Sequence, residues 1–65
     1  MQAKELRVGD YISTQHPVSQ ENYIGVVKEM FGLSIDAITI DLDDGRTIYI
    51  SWSLANQWRF QLING

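Results

Sequence analysis

The segment from Ile38 to Trp52 constrains the fold more than any other. Ile38, Ile40 and Leu42 alternate with Thr39 and Asp41, and Ile48, Ile50 and Trp52 alternate with Thr47, Tyr49 and Ser51. A period of two marks a strand with one buried face. Between the runs stands Asp43-Asp44-Gly45, a hairpin signal. Register separates the two loop lengths that could join them. A two-residue loop at Asp44-Gly45 sets Ile40 opposite Tyr49, which sends the isoleucines of the two strands to opposite faces. A three-residue loop, Asp43-Asp44-Gly45, sets Ile40 opposite Ile48 and Ile38 opposite Ile50, so the apolar sets coincide. That loop ends in a left-handed residue, the conformation glycine adopts at no steric cost. Gly45 is expected there.

The rest of the chain reads the same way. Strand-like runs rich in β-branched and aromatic residues cover Asp10 to Thr14, Tyr23 to Met30, Ala37 to Leu42, Thr47 to Trp52 and Trp58 to Ile63. The segment Gln15 to Asn22 has no period and reads as a surface loop. Ser53-Leu54-Ala55-Asn56 fits one 3₁₀ turn, capped by Ser53 and ended by Asn56, with Leu54 pointing inward. The expected core is Ile38, Ile40, Ile48, Ile50, Leu54, Phe60 and Leu62, with Trp52 on the same face by parity. The fold class expected is all-β, five strands with a single 3₁₀ turn before the last strand.

Composition bounds the function. The 65 residues make one domain, residues 1–65, which buries only about 60% of the surface its unfolded chain exposes. No room remains for a cofactor-binding sheet or an interdomain cleft. There is no cysteine, hence no disulfide staple and no thiolate site. A cytoplasmic, reducing location is the expectation. The start of the chain, Met1 to Arg7, is charged and does not read as a signal peptide, and no apolar run approaches a membrane span. The net charge of -3 argues against sequence-independent phosphate binding, which uses a basic face.

The layout resembles the SH3-like small β-barrel shared by SH3, Tudor and KOW modules. The resemblance rests on the Gly9-Asp10 lead-in, a strand, a long loop and the strand containing Ile24-Gly25-Val26-Val27. The tight Asp-Gly hairpin, the one-turn helix at Ser53 to Asn56 and a last short strand complete it. It covers nearly the whole chain, and it implies a fold rather than a function.

Chemistry-bearing residues are sparse. Asp41-x-Asp43-Asp44-Gly45 has the look of a calcium loop, but the position that should carry the closing Glu holds Trp52. Turn chemistry is the stronger reading for these aspartates. His16 is the sole histidine and lies in a polar loop with neither a nucleophile nor further ligands at a readable spacing. It reads as a solvated loop residue. No metal, cofactor or catalytic residue is expected. An enzyme would take the form of an oligomer with a pore-type active site. Gly45-Arg46-Thr47-Ile48-Tyr49 is similar to the Val-Gln-Ile-Tyr strand of type II dihydrofolate reductase, but Thr47 stands where that family has its key Gln and no basic pore residue is evident.

The aromatic residues are the more informative set. Seven rings are too many for so thin a core, and exposed clustered rings mark partner sites. Tyr11, Tyr23, Phe31, Tyr49 and Trp58 are the candidates for a partner-binding surface. The expected function is a non-enzymatic module that engages a protein partner or its own copy, with no membrane and with nucleic acid disfavoured. The alternative is nucleic-acid binding of KOW or Tudor type through Lys28, Arg46 and Arg59, with Arg59 beside Trp58 as a stacking and phosphate-contact surface.

Overall fold

The computed structural model describes residues 3–30 and 37–63. Five antiparallel strands form one sheet: β1 (Tyr11–Gln15), β2 (Asn22–Glu29), β3 (Ala37–Leu42), β4 (Thr47–Ser51) and β5 (Arg59–Leu62). Two 3₁₀ turns accompany them, Ala3–Glu5 before β1 and Ala55–Gln57 before β5. The spatial order is β4-β3-β2-β1-β5. The chain therefore winds from β1 to β4 as a meander, and β5 returns to the free side of β1. The fold is all-β as expected, but the sheet is open: β4 and β5 are its two edges and do not pair. Among the described residues no helix is long and apolar enough to cross a membrane.

The β3–β4 hairpin has the register that the apolar pattern demands. Ile40 faces Ile48 and Ile38 faces Ile50. Gly45 has φ +93, and its amide donates to the Leu42 carbonyl at 3.1 Å while Leu42 donates to the Arg46 carbonyl at 2.7 Å. A second left-handed glycine, Gly9 (φ +97), turns the chain into β1. The Asp10 amide donates to the Arg7 carbonyl across that turn at 3.0 Å, and positive φ at the third residue is the type II requirement. Between Val27 and Glu29 the β2–β3 register shifts. Lys28 is the extra residue of this bulge.

One face of the sheet is apolar and buried. Ile12, Val27, Ile38, Ile40, Leu42, Ile50 and Phe60 point into it, and Ala3, Leu6 and Ala55 from the segments flanking the strands close it off. Ile38, Ile40, Ile50 and Phe60 are buried as expected, while Ile48 and Trp52 are half-buried and packed against the core. Two expected core residues are not in it. Leu54 is 51% exposed because the 3₁₀ turn begins one residue later than the sequence pattern implied. Leu54 is its N-cap, and Ala55, 1% exposed, takes the inward place. Ser53 makes no capping bond to that turn, and its hydroxyl meets that of Ser51 at 3.0 Å. Leu62 is 44% exposed because it ends the short edge strand β5, which pairs only with β1.

Candidate functional site

The structure sorts the candidate rings into two groups. Tyr23 leaves the start of β2 on the inner face, and Trp58 precedes β5 on the same face. Their ring centroids lie 6.1 Å apart with the planes tilted by 33°. Both are half-buried and packed against the core. The backbone fixes Trp58 sharply. Its amide donates to the Ala55 carbonyl at 3.2 Å, closing the 3₁₀ turn, and its own φ of -87 and ψ of 146 are already extended. The helical turn therefore ends where β5 must begin, and the indole is left at the rim.

His16 completes this group, contrary to its reading as a solvated loop residue. Its ring meets Trp58 edge-on at 4.9 Å and 65°. Its Nδ1 accepts from the amides of Val18 at 3.1 Å and Ser19 at 3.2 Å, which fixes the tautomer carrying hydrogen on Nε2. The Gln20 amide donates to the His16 carbonyl at 3.1 Å, and the His16 amide to that of Glu21 at 2.9 Å. Gln20 takes a positive φ of 62 to close the loop. The side chain thus does for residues 16–21 what an Asn or Asp does in a tight turn, and the same bonds lock the ring against the indole.

The other end of the strip is Arg46. Its guanidinium carbon stands 5.7 Å from the centroid of the Tyr23 ring, within cation–π range. Arg46 Nε donates to Asp44 Oδ2 at 2.7 Å, and the Arg46 amide donates to Asp44 Oδ1 at 3.0 Å. The Arg46 backbone amide first, and its guanidinium after that, hold the Asp44 carboxyl below the usual carboxylate range. The strip His16–Trp58–Tyr23–Arg46 therefore crosses the end of the sheet where the β1–β2 loop, the β3–β4 turn and the start of β5 converge.

Tyr11 and Tyr49 lie elsewhere, on the outer face. Tyr11 is paired with Val26, and Tyr49, 63% exposed, with Thr39. Strands β2 and β3 separate the two tyrosines. Exposed Ile24 and Val26 share the outer face with them. Phe31 lies outside the described residues. The four described candidate rings therefore do not form a single surface: Tyr23 and Trp58 are brought together, and Tyr11 and Tyr49 are not part of that pair.

The basic candidates are also divided. Lys28 stands on the bulge, five residues along β2 from Tyr23 and so roughly 16 Å from it along the strand. Arg46 is at the aromatic end, and Arg59 is exposed opposite Gln15 on β5. Of the three aspartates only Asp44 bonds the turn backbone, as the turn reading expects; the other two take side-chain partners outside the turn. Asp41 accepts from the Thr47 hydroxyl at 3.0 Å, Asp43 from the Tyr11 phenol and Asp44 from Arg46. Among the described residues no three His, Asp or Glu side chains converge to hold a metal ion.

No family model, no curated protein and no solved structure matches this chain.

Proposed function

We propose that the chain is a non-enzymatic binding module that engages a polypeptide partner, another copy of itself included, through the aromatic end of the sheet. The observation that carries this reading is the contact of Tyr23 with Trp58, 6.1 Å between centroids, on rings that are half-buried at a rim where three loops meet. Rings held in one orientation offer large contact area with little entropy left to lose on binding. Loops on a fixed sheet are the usual carriers of recognition. The meander with a 3₁₀ turn and a returning last strand supports the SH3-like layout as the finer description of the fold, in its open form.

A peptide-display selection on the intact chain tests this reading. Clones that bind the wild type are expected to lose the Tyr23→Ala and Trp58→Ala variants and to keep Tyr49→Ser. A selection that enriches nothing, together with a strictly monomeric sedimentation profile, would sink it. So would clones that bind all three variants equally.

A further inference from the structure

We infer that the aromatic end takes a basic polypeptide segment, seating an Arg or Lys side chain against the Tyr23 and Trp58 rings with the carboxylates of the β3–β4 turn as counter-charge. This rests on the polypeptide-binding reading above and adds the chemistry of the partner.

The first support is that a cation already stands there. Arg46 lies over the Tyr23 ring at 5.7 Å, steered by its bond to Asp44 at 2.7 Å. The chain's own guanidinium thus shows which charge this corner accepts and how an aspartate directs it. Trp58 is the next ring, and indole is the strongest cation acceptor among the aromatic side chains.

The second support is charge complementarity. Asp43 and Asp44 line the concavity beside Tyr23 together with Arg46, two carboxylates against one guanidinium, while Asp41 lies on the outer face bonded to Thr47. The Tyr11 phenol that bonds Asp43 is a neutral donor, so it leaves that negative charge in place. Glu21, exposed in the neighbouring loop, adds to it, and Arg59 on β5 is the opposing charge at this end. The chain as a whole is at -3. An anion approaching Arg46 would meet these carboxylates, whereas a cation is drawn to them and finds the ring faces beside them.

Arg46 is then the resident occupant of its own site, and a partner's cation joins or displaces it. This gives the two signs of ligand opposite mutational signatures. Removing the Arg46 charge clears the Tyr23 ring and strengthens binding of a cation. It abolishes binding of an anion.

The test is an NMR titration of the full chain that follows the Trp58 indole N–H. The probes are capped nonapeptides in which Gly alternates with Arg, with Gln or with Glu, plus a single-stranded oligo-thymidine. The Arg peptide is expected to bind at least about tenfold more tightly than the Gln peptide at low salt, with the gap closing as salt approaches about 1 M. Arg46→Gln should tighten the Arg peptide several-fold, and Asp44→Asn should weaken it several-fold. Both positions are exposed on the turn, and the amide spectrum reports that the variants remain folded.

The inference is overturned if the Glu peptide or the oligonucleotide binds best and Arg46→Gln removes that binding. If the Gln peptide binds as well as the Arg peptide and moves the Trp58 signal, the charge inference falls and the polypeptide-binding reading stands. If no peptide moves that signal and the display selection also fails, both fall together.

Discussion

The phenol of Tyr11 donates to Oδ2 of Asp43 at 2.5 Å, and the bond passes over the whole width of β2. Tyr11 begins β1, Asp43 follows β3, and β2 lies between them. The Asp43 amide is itself bonded to the Ile24 carbonyl of β2 at 3.0 Å. The turn that carries Asp44 and Arg46 is thereby tied to two strands at once, which holds the Arg46 end of the aromatic strip in register with its Tyr23 middle. The bond to Asp43 raises the Tyr11 pKa above its ordinary 10.0, helped by lost hydration and by repulsion between a phenolate and Asp43.

A folded-state pKa above the unfolded one means that the protonated phenol is the form the fold favours. Its stabilisation is complete below about pH 10 and is lost as pH rises through the folded value. Tyr11→Phe should therefore lower the melting temperature slightly at pH 7, and the difference from wild type should close in strong alkali. Asp43→Asn keeps an acceptor but removes the charge, so the Tyr11 titration followed by NMR should move down toward the ordinary value. A Tyr11 titration that ignores Asp43→Asn would deny the contact.

Two glycines should fail for different reasons. A Cβ on Gly25 would sit 2.2 Å from the Asp41 carbonyl oxygen and 2.8 Å from Leu42 Cα, so β2 and β3 would have to part. Gly25→Ala should cost about 3 kcal/mol or more. A Cβ on Gly45 meets nothing within 4 Å, but φ there is +93. Gly45→Ala should cost about 1 kcal/mol by backbone strain alone. Denaturant midpoints of the two variants check the order.

Burial separates residues that look equivalent in sequence. Ile40 is 0% and Ile50 2% exposed, and either one changed to Ala should lose about 2–5 kcal/mol. That is enough to unfold much of so small a domain. Leu54→Ala and Leu62→Ala should stay within about 1 kcal/mol, since both residues are about half in water. A cooperative, wild-type-like melt for Ile40→Ala would contradict the core assignment.

His16→Ala should leave the sheet intact and loosen one loop. The amides of Val18 and Ser19 lose their shared acceptor, so their hydrogen exchange should accelerate while that of Ile12 and Val27 does not. Equal acceleration across both sets would mean that His16 supports the core rather than the loop.

The hairpin was legible because two local constraints agreed: alternation in Ile38–Leu42 and Ile48–Trp52, and a glycine at the one place the register needs it. The expected ends of all five strands lie within one residue of the observed ones. Leu62 departs from its expected place because parity tells which face a residue takes and not whether anything covers that face, and Leu54 because a one-residue shift of the 3₁₀ turn gives the inward place to Ala55. At the end of the edge strand Leu62 is left 44% exposed. The Tyr23–Trp58 pair joins residues from strands that are not neighbours in sequence, so no spacing announces it. The place of His16 is not legible in the sequence because its acceptor role depends on the fold of its own loop. The one local hint was a polar side chain followed two and three residues on by free amides.

Chemical-shift mapping of a display-selected peptide on the labelled chain tests the central claim most directly. Binding at the aromatic end predicts perturbations at His16, Tyr23, Asp44, Arg46, Trp58 and Arg59, with Tyr49 and Val26 on the outer face unchanged. Perturbations centred on Tyr11, Ile24, Val26 and Tyr49, with the Trp58 indole signal still, would move the binding surface to the outer face and contradict the account.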